Sequence, residues 1–506
     1  MEKNIIDYFE KTVRKYPENI AVSDQYKEMT YRELKRNAEQ LAWQLREFTE
    51  CPIAIYLERR VELTVAILAV LYSGNFYIVL DKDSPKDRIE KILNTAKPVA
   101  IIGKAEKNLA EGQLLDENIR WIEFEEKFEH LEQEKIEKLA KKRADLCQET
   151  PAYGLFTSGS TGDPKGVLVT HGNVIAYIGW FTECFEIDEK TSFGSQTPLY
   201  FSMSVSDFYG SMFTGAAYHM IPKEYFAFPA KLVEYINEKK VNAIYWVPSA
   251  MGIVVKWDLF KYAKPLYMEK IMFAGETMPV KYLNYWRKYL ENAVFANLFG
   301  PTETTDICTY YRVDREFQET ESLPIGRACE NCQLIIADKG VEVKKGQIGQ
   351  LYVKSPFVAK GYYRNPEKTK EAFVQNPLHD DYIDIVYNTG DLVCENQEGL
   401  LEYKGRKDYQ IKHMGYRIEL GEIESVLNGS INDIMTVCIY DENKDKLILA
   451  YEAKGELEDQ LRNISSMKLP VYMQPEEYKK LDCLPINANG KIDRKEIKKF
   501  IEMKGN

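Results

Sequence analysis

Between two apolar runs the chain reads Phe156-Thr157-Ser158-Gly159-Ser160-Thr161-Gly162-Asp163-Pro164-Lys165-Gly166. Three glycines, four hydroxyl residues and one lysine fall within these eleven positions. Glycine lets a backbone turn tightly and come close to a ligand. Successive backbone N–H groups can form an anion-binding nest, and hydroxyls with an ammonium add the donors that a polyphosphate needs. The run before it, Tyr153-Gly154-Leu155-Phe156, and the run after it, Val167-Leu168-Val169-Thr170, read as buried strands. A loop between two strands is not the strand–loop–helix of a Walker site. Pro164 also stands where that pattern has the glycine before its lysine. The stretch is a phosphate loop of another kind.

Outward from this loop, helical and strand-like patterns alternate. Leu34 to Leu45 places Leu34, Leu41, Ala42 and Leu45 on one face of a helix. Ile53-Ala54-Ile55-Tyr56-Leu57 and Val99-Ala100-Ile101-Ile102 read as buried parallel strands. Residues 104 to 146 are rich in Lys and Glu and read as a solvated excursion, with Trp121, Ile122 and Phe124 a short apolar island. Strands recur near 243–247 and 270–273, and from about 333 to 405 short strands and turns take over. The last hundred residues suggest a helix at 419–427, strands at 434–441 and 446–453 and a helix near 456–464. The pattern predicts an α/β protein. The boundary between the larger part and a small α+β C-terminal unit falls around Gly405-Arg406-Lys407-Asp408.

The chain has 506 residues, 45% hydrophobic and 29% charged, with a net charge of −11. That balance argues against general nucleic-acid binding, which wants a basic face. No run of about 18 apolar residues offers a membrane span, and the N-terminus lacks the apolar core of a signal peptide. The nine cysteines are scattered, as in a reducing cytosol, so a cytoplasmic location is expected. Cys329 and Cys332 have CxxC spacing, but no second pair or matching histidines complete a zinc site, so they read as two free thiols in a loop.

Further polar clusters follow. Asn297-Leu298-Phe299-Gly300-Pro301-Thr302-Glu303-Thr304-Thr305 comes after an apolar strand. By itself it reads as a helix cap with Thr302 capping. Beside a phosphate loop, Glu303 suits a Mg²⁺ ligand, because magnesium takes carboxylate and phosphate oxygens together. Phe299 could stack on a base or belong to the core. Thr389-Gly390-Asp391 closes a strand-like stretch and reads either as a ribose-binding carboxylate or as a common β-turn. Gly405-Arg406-Lys407-Asp408 and Asn487-Ala488-Asn489-Gly490-Lys491 read by themselves as charged turns.

Together, TSGSTGDPKG, FGPTET, NTGD, GRKDYQIKHMGYRIE and NANGKIDRK resemble, in order and spacing, the motifs of the adenylate-forming family. That family includes peptide-synthetase adenylation domains, acyl-CoA synthetases and luciferase. Within it the chain is similar to the amino-acid adenylating branch, and its SVSDFYG and FAGE segments to D-alanine–carrier-protein ligases. The resemblance implies a two-step ligase that uses ATP and Mg²⁺. A small carboxylic acid becomes an acyl-adenylate, then a thioester on a phosphopantetheinyl carrier protein, with CoA as the alternative acceptor. It implies that Thr157, Ser158, Gly159, Ser160, Thr161, Gly162 and Lys165 hold phosphates, and that Glu303, Gly300 and Thr302 flank the metal and nucleotide. Asn297 would read adenine, Phe299 stack on it, Asp391 hold the ribose with Arg406 in support, and Lys491 bridge the carboxylate and α-phosphate. The resemblance also implies a large N-terminal domain (1–405) of parallel α/β subdomains with a small β-barrel-like subdomain, and a small mobile α+β C-terminal domain (409–506) on a hinge at 406–408. A pivot at Asp408 would bring in the loop from Lys412 to Tyr416, where Gly415 lets pantetheine pass.

The acid pocket departs from the family pattern. Where relatives carry an aspartate for the α-amino group, this chain has Ser202. A buried ammonium without a carboxylate is costly, so an aryl, hydroxy or non-α-amino acid is expected. The other matching positions are Met203, Ser206, Tyr245, Met272, Ala274, Leu298, Asp306 and Ile307. Asp306 with Ser202 or Ser206 would grip a polar group away from the carboxylate, or else Asp306 faces solvent or a backbone N–H. D-alanine or another α-amino acid, with Asp306 in place of the missing aspartate, is the alternative substrate.

Overall fold

The structure is a computed structural model, and it describes residues 2–104, 119–125, 130–159, 163–408, 410–431, 434–442, 444–453, 455–485 and 494–504. The chain divides into two compact units. One comprises Met1–Lys82, Ala96–Leu155 and Gly166–Lys407, and the other Asp83–Thr95, Phe156–Lys165 and Asp408–Asn506.

In the larger unit, six of the described strands form a sheet in the order Arg120–Glu123, Ala100–Gly103, Pro52–Tyr56, Phe76–Val79, Pro151–Thr157 and Lys165–Thr170. The inner strands Pro52–Tyr56, Phe76–Val79 and Ala100–Gly103 are buried at every residue. They read as unbroken apolar runs rather than alternating ones because both faces are covered. Helix Val61–Tyr72 is likewise buried at every position, as expected of a helix apolar all round. The Trp121–Phe124 island is not a solvated excursion. Arg120–Glu123 adds the edge strand, and Ile122 and Phe124 are 2% and 4% exposed. A four-residue strand inside a Lys- and Glu-rich stretch leaves too little periodicity to see.

The second sheet has, among the described residues, nine strands in the order Arg327–Ala328, Thr309–Arg312, Val294–Phe299, Lys270–Phe273, Ala243–Trp246, Ser192–Ser195, Ala217–Met220, Ile20–Ser23 and Glu28–Thr30. Its central strands run parallel. Helix starts are set by short-range chemistry. Helix Tyr31–Gln44 opens with a capping box, in which Thr30 and Glu33 bond each other's backbone N–H. Thr170 and Asn173 do the same for helix His171–Cys184, so strand Lys165–Thr170 turns directly into that helix.

A third, antiparallel sheet contains Gln333–Asp338, Ile348–Lys354, Ile385–Glu395 and Leu401–Arg406. Here the NTGD segment does not close a strand. Strand Ile385–Glu395 runs through it, and the pairing passes from Tyr352↔Asn388 to Gln350↔Leu392. Residues 389–391 therefore bulge opposite residue 351, with Gly390 at φ 75. A bulge re-aims one side chain without ending the strand, and that side chain is Asp391.

The smaller unit contains the hairpin Gln410–His413/Tyr416–Glu419 and a sheet of Met435–Asp441, Lys446–Glu452 and Glu477–Lys480. The hairpin turns at Met414 (φ 51) and Gly415 (φ 79), both left-handed as a tight two-residue hairpin turn requires. Helices Leu420–Asn428, Glu458–Lys468 and Arg494–Lys504 accompany them. Their core gathers Ile418, Ile423, Leu427, Leu449, Tyr451 and Leu461. Among the described residues no helix is long and apolar enough to cross a membrane.

Candidate active site

Three parallel strands of the larger unit present one face. Tyr245 pairs in register with Met272, and Met272 with Ala296. Side chains alternate along a strand, so Leu298, two residues beyond Ala296, shares that face, and so does Ala274, just past the strand bearing Met272. All four expected pocket residues here, Tyr245, Met272, Ala274 and Leu298, are buried. They lie at the carboxyl ends of the strands, where open α/β sheets place ligands.

Strand Val294–Phe299 extends through Asn297, Leu298 and Phe299, and the chain then doubles back. At Gly300 an added Cβ would stand 2.4 Å from the Asp306 carbonyl and 2.5 Å from Ile307 Cα, so only glycine fits without moving backbone. A 3₁₀ turn, Thr302–Thr304, follows, preceded by Pro301 without a side-chain cap. The Thr302 hydroxyl instead donates to Ser202 Oγ at 3.4 Å. Thr305 then takes φ 67 and ψ −50. The Asp306 N–H donates to the Thr304 carbonyl at 2.7 Å across it. This is a γ-turn of the strained, positive-φ hand. The surroundings hold it, with Thr304 Oγ1 donating to Pro301 O at 2.9 Å and Thr305 Oγ1 to Phe357 O at 2.7 Å. The result is that Glu303 and Asp306 are both turned inward, 0% and 1% exposed.

Asp306 does not face solvent. Its Oδ2 accepts from Ser206 Oγ at 2.8 Å, Tyr177 Oη at 3.1 Å and Tyr245 Oη at 3.2 Å. The helix Ser204–Thr214 carries Ser206, and buried Met203 immediately precedes it. Ile307, beside Asp306, is 1% exposed. Burial first, then the Asp306 charge, pushes both tyrosine hydroxyls well above their ordinary pKa, so they remain O–H donors. Tyr177 is the member that sequence reasoning missed, since a tyrosine on an apolar helix face looks like core. The structure brings Asp306, Ser206 and Tyr245 together, while Ser202 hydrogen-bonds Thr302. The Tyr153 hydroxyl is wholly buried with no hydrogen-bond partner. Burial raises its pKa most, then Tyr77, then Asp306, which places it within electrostatic reach of that carboxylate.

Glu303 Oε1 accepts from the Tyr362 hydroxyl at 2.6 Å, and its carbonyl accepts the Ala359 N–H at 2.8 Å. Asn297 donates through Nδ2 to Pro324 O at 2.9 Å, which fixes its carboxamide and leaves Oδ1 as the acceptor it can offer. Phe299 is 9% exposed and packs in the core of the antiparallel sheet, 5.9 Å from the Tyr403 ring. Asp391 is 4% exposed. Its backbone N–H donates to Thr389 Oγ1 at 3.0 Å, and Arg406, directly opposite on the next strand, donates Nη1 to Oδ1 at 2.7 Å.

The phosphate loop falls in the smaller unit. Thr157 Oγ1 donates to Lys165 O at 3.5 Å. Gly159 is required because a Cβ there would meet the Asp163 carbonyl at 2.2 Å. Two of the expected phosphate donors are engaged within the chain. The Ser158 hydroxyl donates to Arg417 O at 2.7 Å, and the Gly159 N–H donates to Glu422 Oε2 at 3.2 Å. Glu422, buried, also pairs with Arg88 at 2.6 Å. Burial is the largest influence on its carboxyl and raises its pKa. Asp408 Oδ1 accepts from the Gln410 N–H at 3.2 Å, and Lys412 stands opposite Arg417 in the hairpin that Gly415 turns. Ser160, Thr161, Gly162 and Lys491 lie outside the described residues.

The chain is 32% identical to gramicidin S synthase 1 of Brevibacillus brevis over 98% of its own length, and spans only 44% of that protein. It is 31% identical to zwittermicin A synthase ZmaJ of Bacillus cereus, covering 96% of this chain and 93% of ZmaJ. In fold it is similar to the Vibrio cholerae adenylation domain AlmE, whose crystal structure is a complex with glycyl-adenosine-5′-phosphate. The TM-score is 0.84 at 22% identity, over 99% of this chain and 98% of the other. The family model described as AMP-binding enzyme matches residues 9–363. That match covers well over half of the chain, which therefore belongs to the AMP-binding enzyme family.

Proposed function

We propose that the protein activates a small carboxylic acid with ATP, forming an acyl-adenylate and diphosphate. The acyl group then passes as a thioester to a phosphopantetheinyl carrier protein. The observation that carries this reading is Asp391. It is a buried carboxylate aimed by a bulge and fixed through one oxygen by Arg406, which suits paired ribose hydroxyls. Asn297 offers an amide oxygen to the adenine amino group.

Glu303 fits a magnesium ligand, being a buried carboxylate oriented through Oε1 by Tyr362. Magnesium needs only one or two protein carboxylates because it keeps waters and takes phosphate oxygens. A bound ion would neutralise phosphate charge. The 156–166 loop would hold the phosphates, and a pivot at 406–408 would separate a domain ending at 405 from one beginning at 409. Gly300 and Thr302 would keep the nucleotide-facing turn in shape. The similarity of the SVSDFYG and FAGE segments to D-alanine–carrier-protein ligases supports a carrier thiol as acceptor over CoA.

For the acid, Ser202 supplies no charge for an α-ammonium. The polar floor lies instead at Asp306, Ser206, Tyr177 and Tyr245, with the Tyr153 hydroxyl to spare. That favours an aryl, hydroxy or non-α-amino acid with a polar group remote from its carboxylate. ATP–pyrophosphate exchange with amino, hydroxy and aryl acids side by side tests this. Exchange with none of them removes the adenylation reading, and strong exchange with D- or L-alanine removes the substrate class.

Lys491 would bridge the carboxylate and the α-phosphate, as the resemblance of its motif implies. Lys491→Ala is expected to lower adenylation by at least about 10²-fold, the scale of losing one preorganised donor to a developing charge. Thioester formation from supplied acyl-adenylate should survive. Equal loss in both half-reactions would take Lys491 out of the first step.

A further inference from the structure

Cys329 and Cys332 look like two unrelated thiols in the sequence, but the backbone brings them together. The Cys332 N–H donates to the Cys329 carbonyl at 2.9 Å, and Asn331 takes φ 69. Residues 329–332 thus form a hydrogen-bonded β-turn with the left-handed third residue of type II. The first and fourth Cα atoms of a β-turn lie within about 7 Å, close to the range that a disulfide spans.

The two thiols are unequal. Cys329 is 1% exposed. Cys332 is half-buried and lines an open groove of about 550 Å³ together with Asn331, Lys354, Ser355, Pro356 and Ile385. A hydrogen bond from the Cys329 thiol, and a further one from Ser355, hold the Cys332 thiol below its ordinary pKa against the effect of burial. Burial and the neighbouring Cys332 push Cys329 well above it. Exposure makes Cys332 the sulfur that an entering disulfide meets first, and burial keeps the Cys329 thiol protonated until a neighbour takes the proton. Cys329 also lies within electrostatic reach of Tyr177 and Tyr245, the hydroxyls on Asp306.

We propose that Cys332 and Cys329 form a thiol–disulfide exchange site for small disulfides entering the groove, with Cys332 attacking and Cys329 resolving. Cys332 sulfur attacks one sulfur of the disulfide, the S–S bond breaks, and the departing thiolate takes the Cys332 proton. Cys329 then attacks Cys332 sulfur, the mixed disulfide breaks, and the second thiolate leaves with the Cys329 proton. One small disulfide is reduced to two thiols, and the cysteine pair is oxidised to one disulfide, with two electrons passing between them.

Cys147 provides an internal comparison. It is exposed, and its thiol is also lowered, chiefly by the Thr150 hydroxyl. The full chain is incubated with glutathione disulfide, quenched with an alkylating agent and mapped by peptide mass spectrometry. The expected result is a peptide spanning 329–332 that has lost two hydrogens and carries no glutathione, while Cys147 retains glutathione. In Cys329→Ser, glutathione should remain on Cys332. In Cys332→Ser, which alters only a half-buried position, Cys329 should stay reduced. Persistent glutathione on Cys332 of the unaltered protein would overturn the proposal. So would a reduced Cys332 at concentrations that modify Cys147, or oxidation of Cys329 in Cys332→Ser.

Discussion

Arg406→Ala is expected to destabilise the larger unit by about 3–5 kcal/mol, the usual cost of stranding one member of a buried ion pair. Arg406 and Asp391 face each other across adjacent strands at 2.7 Å, with side chains only 11% and 6% exposed. Little water can replace the guanidinium, so the carboxylate is left in a poorly solvating site. Chemical denaturation followed by tryptophan fluorescence would show the loss as a lowered midpoint. The same variant should bind ATP weakly, because the carboxylate proposed for the ribose loses its orientation. The double variant Arg406→Leu/Asp391→Leu separates the two effects. It removes both charges, so stability should largely return, as it often does when a buried pair gives way to apolar residues. ATP binding should not return. Recovered ATP binding in the double variant would remove Asp391 from the nucleotide site.

Asp306→Asn is expected to change which acid is used far more than how well ATP is used. The substitution keeps shape but removes the charge on which Ser206, Tyr177 and Tyr245 converge. Hydrogen bonds to a charged group contribute about 1.5–3 kcal/mol each, so the three hydroxyls should lose their common orientation. For the best acid found by exchange, kcat/KM should fall by about 10²-fold or more, since a site built to bond a polar group discriminates strongly through it. An apolar analogue of the same size should lose much less. ATP KM should hardly move. The tyrosine hydroxyls are pushed well above their ordinary range, so the selectivity change should be the same at mildly acidic and mildly alkaline pH. An equal loss for both acids would make Asp306 a structural anchor with no part in choosing substrate.

Much of the frame could be read from short-range patterns. The strands around the phosphate loop, helix Tyr31–Gln44 and the C-terminal strands follow from apolar periodicity. Compact polar clusters drew attention to Glu303 and Asp391, while Asp306 was singled out only by matching it to a pocket position of the family that the chain resembles. What escaped depends on partners far along the chain. The NTGD bulge is defined by its pairing across residues 350–352. Arg120–Glu123 becomes a strand only because Ala100–Gly103 offers it an edge. Tyr177 joins the site through a carboxylate 129 positions away, and the Glu422 carboxylate reaches Gly159 across 263. No window of sequence reports such distances.

The γ-turn at Thr305 has a consequence for how this chain can change over generations. Glu303 and Asp306 share one strained turn, wedged against Gly300 where no other residue fits. Unlike the isosteric Asn, a replacement at 306 that changed the size of the side chain for a new acid would also press on the backbone that aims Glu303. Met272 and Leu298 on their strands, and Ala274 just past one, carry no such double duty. New substrate ranges are therefore more accessible by exchange on the pocket walls than at its charged floor, and the turn stays fixed while specificity drifts around it.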